Sequence, residues 1–135
     1  MTEYEMKQAV LAHLLAADFL NENQVDVPNS QGFKPSDDVW VRVSFSGASG
    51  VFAGFGSKPC THRTGLVMLQ CFTRATEYTQ PIEEMAQKLV ERLEWYFSDG
   101  FELQAADVID VGVTENGAYY QKNINIPFLI KSIAA

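Results

Sequence analysis

In the stretch "PCTHR", Cys60 and His62 stand two residues apart. In a strand that spacing puts both side chains on one face, where a nucleophile and its base could meet. A thiol needs help to ionise near neutrality, from a cation, a metal or a helix N-terminus. No helix pattern opens beside Cys60, and no third residue is in view to orient His62. A zinc site drawn from His13, Cys60, His62 and Cys71 would need four converging ligands, yet the chain has neither a CxxC nor an HxxxH pairing. The adjacent carboxylates Asp37-Asp38 and Glu83-Glu84 diverge on a strand and on a helix alike. They suit a strand lead-in and a helix first turn, where negative charge complements the dipole. The glycines of "SFSGASGVFAGFGSKP" (44–59) spell neither GxGxxG nor a Walker loop, since no Lys-Ser pair and no helix follows. The residues therefore predict no catalytic site, no cofactor and no metal. A small ligand pocket or active site near Cys60, His62 and Trp40 remains the alternative of a different class.

What remains is binding. Trp40 and Arg42 share one face of a strand pattern, and both residue types are enriched where a protein surface desolvates against another. The competing expectation is that Trp40 lies beneath a helix and Arg42 pairs with a nearby carboxylate. Arg63 and Arg74 bracket the next strand and could form ion pairs across an interface, although a solvated charge suits each alone. Val51, Phe52 and Phe55 sit among glycines 47, 50, 54 and 56. Leaving such side chains in water forfeits about 25 cal/mol per Å². Either a partner covers them, most simply another copy of the chain in a ring or stack, or the segment is a glycine-rich strand folded back over its own core.

The elements that would position these residues follow from periodicity. Thr2 and Glu5 make a capping box, and Met6, Val10, Leu14 and Ala17 recur at helical spacing, predicting a helix over 3–20. Residues 21–37 hold turn formers and two prolines and read as a loop. From residue 38 the period becomes two, with Val39, Val41, Val43 and Phe45 facing the core. A second strand spans 62–73, and its apolar centre predicts cover on both faces. Pro81 opens a second helix whose buried stripe is Ile82, Met85, Ala86, Leu89, Leu93 and Tyr96, and Ser98-Asp99-Gly100 is expected to end it with a left-handed cap. Strands at 106–113 and 119–132 flank a turn at Asn116-Gly117, with Pro127 predicting an edge or a bulge in the last. The expected architecture is α+β, one domain over 1–135, with a mainly antiparallel mixed β-sheet and two α-helices packed on it.

Bulk composition narrows the partners. At 135 residues, 47% hydrophobic and 20% charged, the chain can bury a core without disulfides. A net charge of −7 disfavours a nucleic-acid binder, which needs a basic footprint. No apolar run approaches the about 18 residues of a membrane span. The acidic start "MTEYEMKQAV" lacks a basic leader, so synthesis in the cytoplasm with reduced thiols is the expectation.

An N-terminal helix, "VWVRVSF" with its Trp-x-Arg, a glycine-rich stretch, "HRTGLVMLQCFT" and then "PIEEMAQKLVERLEWYF" together resemble the tail terminator-like proteins of long-tailed, lambda-like bacteriophages. The likeness covers about residues 3–131 and rests on the order and spacing of these pieces. Trp40-x-Arg42 and Arg63-x-Gly65 are its most specific part. It implies a virion structural protein, assembled in the host cytoplasm, that forms a hexameric ring without catalysis. The ring caps the tail tube, ends its polymerisation and offers the head-joining surface. The implied partners are further copies of the chain, the major tail tube protein and a head–tail connector, with DNA passing through the lumen unread and no membrane involved. Another head–tail connector or tail-completion protein is the near alternative. The loop here is more apolar than the resemblance leads one to expect, and the link "RATEYTQ" is polar rather than glycine-rich.

Overall fold

Thr2 sets the start of the first helix. In a computed structural model that describes residues 2–20, 24–27, 39–46, 49–52, 61–74, 80–98, 100–114 and 117–132, its extended backbone precedes α1 (Glu3–Leu15) and its Oγ1 accepts the Glu5 N–H at 3.1 Å. The Thr2 hydroxyl in turn donates to Glu5 Oε1 at 3.1 Å, so the two side chains clasp each other directly. The helix stops five residues earlier than its apolar period predicts. Ala17 N–H bonds to the Leu14 carbonyl and Leu20 N–H to that of Ala17, a run of tight turns that still buries Ala17 and Leu20. The apolar spacing continues because the core continues, although the helix does not.

Among the described residues the sheet has eight strands: β1 (Val25–Asp26), β2 (Trp40–Phe45), β3 (Ser49–Phe52), β4 (Thr61–Arg74), β5 (Phe97–Ser98), β6 (Phe101–Leu103), β7 (Asp107–Val113) and β8 (Tyr119–Ser132), with α2 (Gln80–Leu93) between β4 and β5. The strand order is β1-β2-β4-β8-β6-β5, with β3 extending the β4 edge beyond β2 and β7 flanking β8 beyond β6. Only β1 and β2 run parallel; every other pair is antiparallel. The spine is the pairing of β4 with β8, in unbroken register from Thr61–Ser132 to Arg74–Tyr119. The fold is α+β, as expected.

Both helices cover one face. Val41, Val43, Val67, Leu69, Cys71, Ile124, Ile126, Phe128 and Ile130 form one cluster with Met6, Val10 and Leu14 of α1 and Ile82, Met85, Ala86, Leu89 and Leu93 of α2. The expectation that β4 is covered on both faces is corrected over its centre. Val67, Leu69 and Cys71 are buried, while Leu66, Met68 and Gln70 on the other face are only half-buried.

Three short elements escaped the sequence reading. β1 lies in the predicted loop, β5 overlaps the expected helix cap at Ser98 and β6 follows it. Strands of two or three residues are too short to show a period. The helix ends at Leu93, and Trp95 takes the left-handed conformation at φ 65°, while Gly100 at φ 96° belongs to the tight β5–β6 connection. Asn116 lies outside the described residues, whereas Gly117 has the positive φ expected of the turn. Pro127 sits inside a central strand and not at an edge. Its carbonyl accepts the Gln104 N–H at 2.8 Å. A residue's N–H and C=O point to the same side of a strand, so the missing donor faces the break where β6 gives way to β7. The reciprocal bond to Gln104 is the one that proline cannot make, and β6 ends there at Leu103.

A candidate assembly surface

β2 presents Val41 and Val43 to the helices and turns Trp40 and Arg42 the other way. The cross-strand partner of Trp40 is Phe72, and the two rings stack at 4.3 Å between centroids, with Tyr119 meeting them edge-on at 6.0 and 6.3 Å. Arg42 lies over both stacked rings, its Cζ 5.5 Å from the Trp40 centroid and 5.7 Å from that of Phe72. Its Nε reaches Asp26 Oδ2 at 3.1 Å, which ties β2 to β1. Trp40 is therefore buried, at 4% exposure, among aromatics and beneath a guanidinium instead of a helix. In the isolated chain its ring leaves little surface for a partner to cover. Arg42 pairs with a carboxylate, as the competing expectation had it, and keeps an exposed flank.

The remaining site residues are not drawn into one patch. Arg63 and Arg74 are exposed near opposite ends of β4. Val51 and Phe52 lie in β3, in register with His62 and Thr61, so the glycine-rich segment contributes a strand at Ser49–Phe52 and not a free loop throughout. Phe55 and Cys60 lie outside the described residues. His62 sits on the half-covered face of β4, opposite Val51 on one side and Lys131 on the other. Cys71 is fully buried, and loss of solvent pushes its thiol up to about 12, so it is a protonated core residue. Among the described residues no cluster of His, Cys, Asp or Glu is arranged to hold a metal ion.

Two exposed apolar regions were missed. The first is β7, where Val108, Ile109, Val111 and Val113 are each between 46 and 59% exposed. Among the described residues β7 pairs only with β8, so its outer edge carries unpaired backbone groups. A register shift between Asp110 and Gly112 places a bulge at Val111, with Gly112 at φ 93°. "DVIDVGV" holds aliphatics at both parities, which is the signal that could have revealed it: a strand with one wet face alternates, and this one does not.

The second is the exit from α2. Trp95 is 64% exposed and Phe97 75%, and together they flank a cleft of ≈ 510 Å³ floored by Leu103 and Pro127. A left-handed backbone is a true outlier for a bulky side chain. It persists because both neighbours of Trp95 are held, Glu94 by its N–H to the Val90 carbonyl at 2.8 Å and by its Oε2, which accepts the Ala106 N–H at 2.7 Å. Tyr96 N–H donates to the Leu93 carbonyl at 3.1 Å, the Tyr96 carbonyl accepts the Leu103 N–H at 2.7 Å, and the Tyr96 ring stacks on His13 at 3.7 Å. His13 and Arg92 bind reciprocally. The imidazole Nε2 donates to the Arg92 carbonyl at 3.0 Å, and the guanidinium donates twice to the His13 carbonyl, at 3.0 and 2.9 Å. Desolvation, reinforced by the Arg92 charge, outweighs that hydrogen bond and holds the His13 pKa below its ordinary value.

Charge is unevenly spread around this surface. Lys122 is buried in β8 and bonded to Glu83 Oε2 at 2.8 Å and Asp110 Oδ1 at 3.1 Å. Burial works against its charge, but the two carboxylates overcome it and its pKa is raised. This triad fastens β7 to α2 and occupies Lys122, which among the described residues is the one cation lining a cleft of ≈ 480 Å³ that Val90, Val108, Glu83, Glu84 and Glu91 also line. The β7 side of the molecule is therefore apolar and acidic.

No protein-family model matches the chain, and no curated protein matches it either. Thirteen solved chains resemble it in structure. One of them, a protein whose name states no activity, aligns over 100% of this chain and 100% of its own with a TM-score of 0.65 and 11% identity. At that identity the likeness shows a shared fold.

Proposed function

We propose that this chain is a ring-forming structural subunit of a long-tailed phage tail, which caps the tail tube, stops its growth and offers the surface to which the head joins. One observation carries the reading: the large apolar side chains left in water include four aliphatics on a single open-edged strand, β7, as a surface made to be covered by protein would have them. The order of elements supports it, because the helix, the Trp-x-Arg strand, the long central strand and the amphipathic helix occur in the order on which the resemblance to the tail terminators rests. Among the described residues the chemistry offers no competitor of equal weight. Cys71 is buried and protonated, and among the described residues the register partners of His62 are Val51 and Lys131.

The function is mechanical. Growth of a tube ends when the terminal ring binds a subunit that leaves no further tube-binding surface. Acidic side chains would keep DNA from adhering as it passes. The test is polymerisation of the purified tube protein with and without this chain. Tubes are expected to stop at a narrow length distribution and to accept heads only when the chain is present. Tubes that grow unchecked yet still require the chain to join heads would assign it to the connector instead. No effect on either step would end the proposal.

A further inference from the structure

Both tryptophans of this chain stand beside a phenylalanine and a carboxylate, and only one of them has a cation. Trp40 and Phe72 are stacked, and the Arg42 guanidinium joins them to Asp26. Its Cζ lies 5.5 and 5.7 Å from the two ring centroids and its Nε 3.1 Å from Asp26 Oδ2. The cleft of ≈ 510 Å³ at the exit of α2 holds the same kinds of group, with Trp95, Phe97 and Glu102 lining it. Phe97 and Glu102 are register partners across β5 and β6, so the ring and the carboxylate stand side by side on one face. Both rings are largely exposed. Among the described residues no lysine or arginine lines this cleft, and Glu102 has no ion pair.

A guanidinium is planar and weakly hydrated, so it can lie on an aromatic face while its edge donates to a carboxylate. We propose that the cleft of Trp95, Phe97 and Glu102 seats the arginine side chain of a different protein, as the Trp40 site seats Arg42. The edge of β5, which among the described residues pairs only with β6, borders the seat and leaves backbone groups for the segment that carries the arginine. A second copy of the chain has little to lend. Of its four arginines, Arg42 bonds Asp26, Arg92 bonds the His13 carbonyl and Arg74 has a contact of its own, which among the described residues leaves Arg63. The net charge of −7 draws a basic segment toward the surface. The seat is built within one chain, so it does not depend on the ring reading.

The experiment is an NMR titration of the nitrogen-labelled chain with a capped alanine-arginine-alanine peptide, read at the indole N–H signals of Trp40 and Trp95. The Trp95 signal should move saturably, and that of buried Trp40 should stay in place. The same peptide carrying citrulline, the uncharged isostere of arginine, should bind about fivefold more weakly. Glu102→Gln should weaken arginine binding about threefold and leave citrulline binding unchanged, and Phe97→Ala should weaken arginine binding about fivefold. Thermal unfolding shows whether each variant is folded; should either fail to fold, the citrulline comparison in the native chain decides. Equal affinity for the two peptides would reduce the seat to an apolar cleft and overturn the proposal, as would a Trp95 signal that does not move. A Trp95 signal that moves with chain concentration before any peptide is added, and no longer does so in Arg63→Ala, would give the seat to a second copy and overturn the assignment to another protein. A chain that binds the arginine peptide at Trp95 yet leaves tube growth and head joining unaffected overturns the tail reading alone.

Discussion

Near one end of the sheet Trp40 is 4% exposed, stacked on Phe72 and roofed by Arg42, while at the end of α2 Trp95 is 64% exposed on a backbone at φ 65°. The two side chains are chemically identical, and each lies near an arginine in sequence, Arg42 and Arg92. The difference lies in what the fold places across from them. Register delivers Phe72 to Trp40, and Arg42, two residues along the same face, can cover both rings. Trp95 follows the last turn of a helix whose buried stripe has already ended, and the bonds on either side of it serve its neighbours. A tryptophan in a sequence is thus an apolar area looking for cover, and only its cross-strand or cross-helix neighbour determines whether the cover comes from within the chain.

The comparison breaks most readily under truncation. Trp40→Ala is expected to destabilise the fold by about 3–5 kcal/mol, because it empties a stacked site. Trp95→Ala should change stability by no more than about 0.5 kcal/mol, as for an exposed residue without internal partners. Denaturant melts of the two variants check this, and equal losses would mean that Trp95 is packed in solution. A smaller effect comes from acid. His13, whose contacts brace the Trp95 exit, has a folded pKa below its ordinary 6.5. The unfolded chain therefore takes up its proton first. The stability that His13 contributes is complete above pH 6.5 and is lost as pH falls from there through the folded value. Melts between pH 8 and pH 5 should show that slope in the native chain and a shallower one in His13→Gln. The smallest effect expected is a gain. Trp95→Gly relieves a left-handed strain of about 1–2 kcal/mol but loosens the unfolded chain by about 0.5–1 kcal/mol. A net stabilisation of roughly 0.5 kcal/mol follows from those terms, and a loss larger than that would show that the indole has a packing partner.

Much of the scaffold was legible, and for a definite reason. The long elements, α2, β4 and β8, each repeat their apolar pattern several times, so the strand spans were placed within one residue of those found. The end of α1 was misjudged because Ala17 and Leu20 remain buried by turns after the helix stops. Pro127 argued for an edge because its own sequence does not reveal that two short strands divide one side of β8. The candidate surface was read less well. Trp40 was weighed as an anchor and is buried, Arg63 and Arg74 are exposed but apart, and the aliphatics of β7 were passed over as an ordinary strand.

The sequence by itself determined the α+β composition, the core faces of β2 and α2, and the acidity of the chain, because periodicity and charge are properties of neighbours along the backbone. Tertiary structure alone decided that Lys122 joins Glu83 to Asp110, that Arg42 shelters Trp40 and that β7, among the described residues, is left with one bare edge. Each of these depends on which distant strand or helix comes to lie alongside, and one residue of register reverses every such pairing.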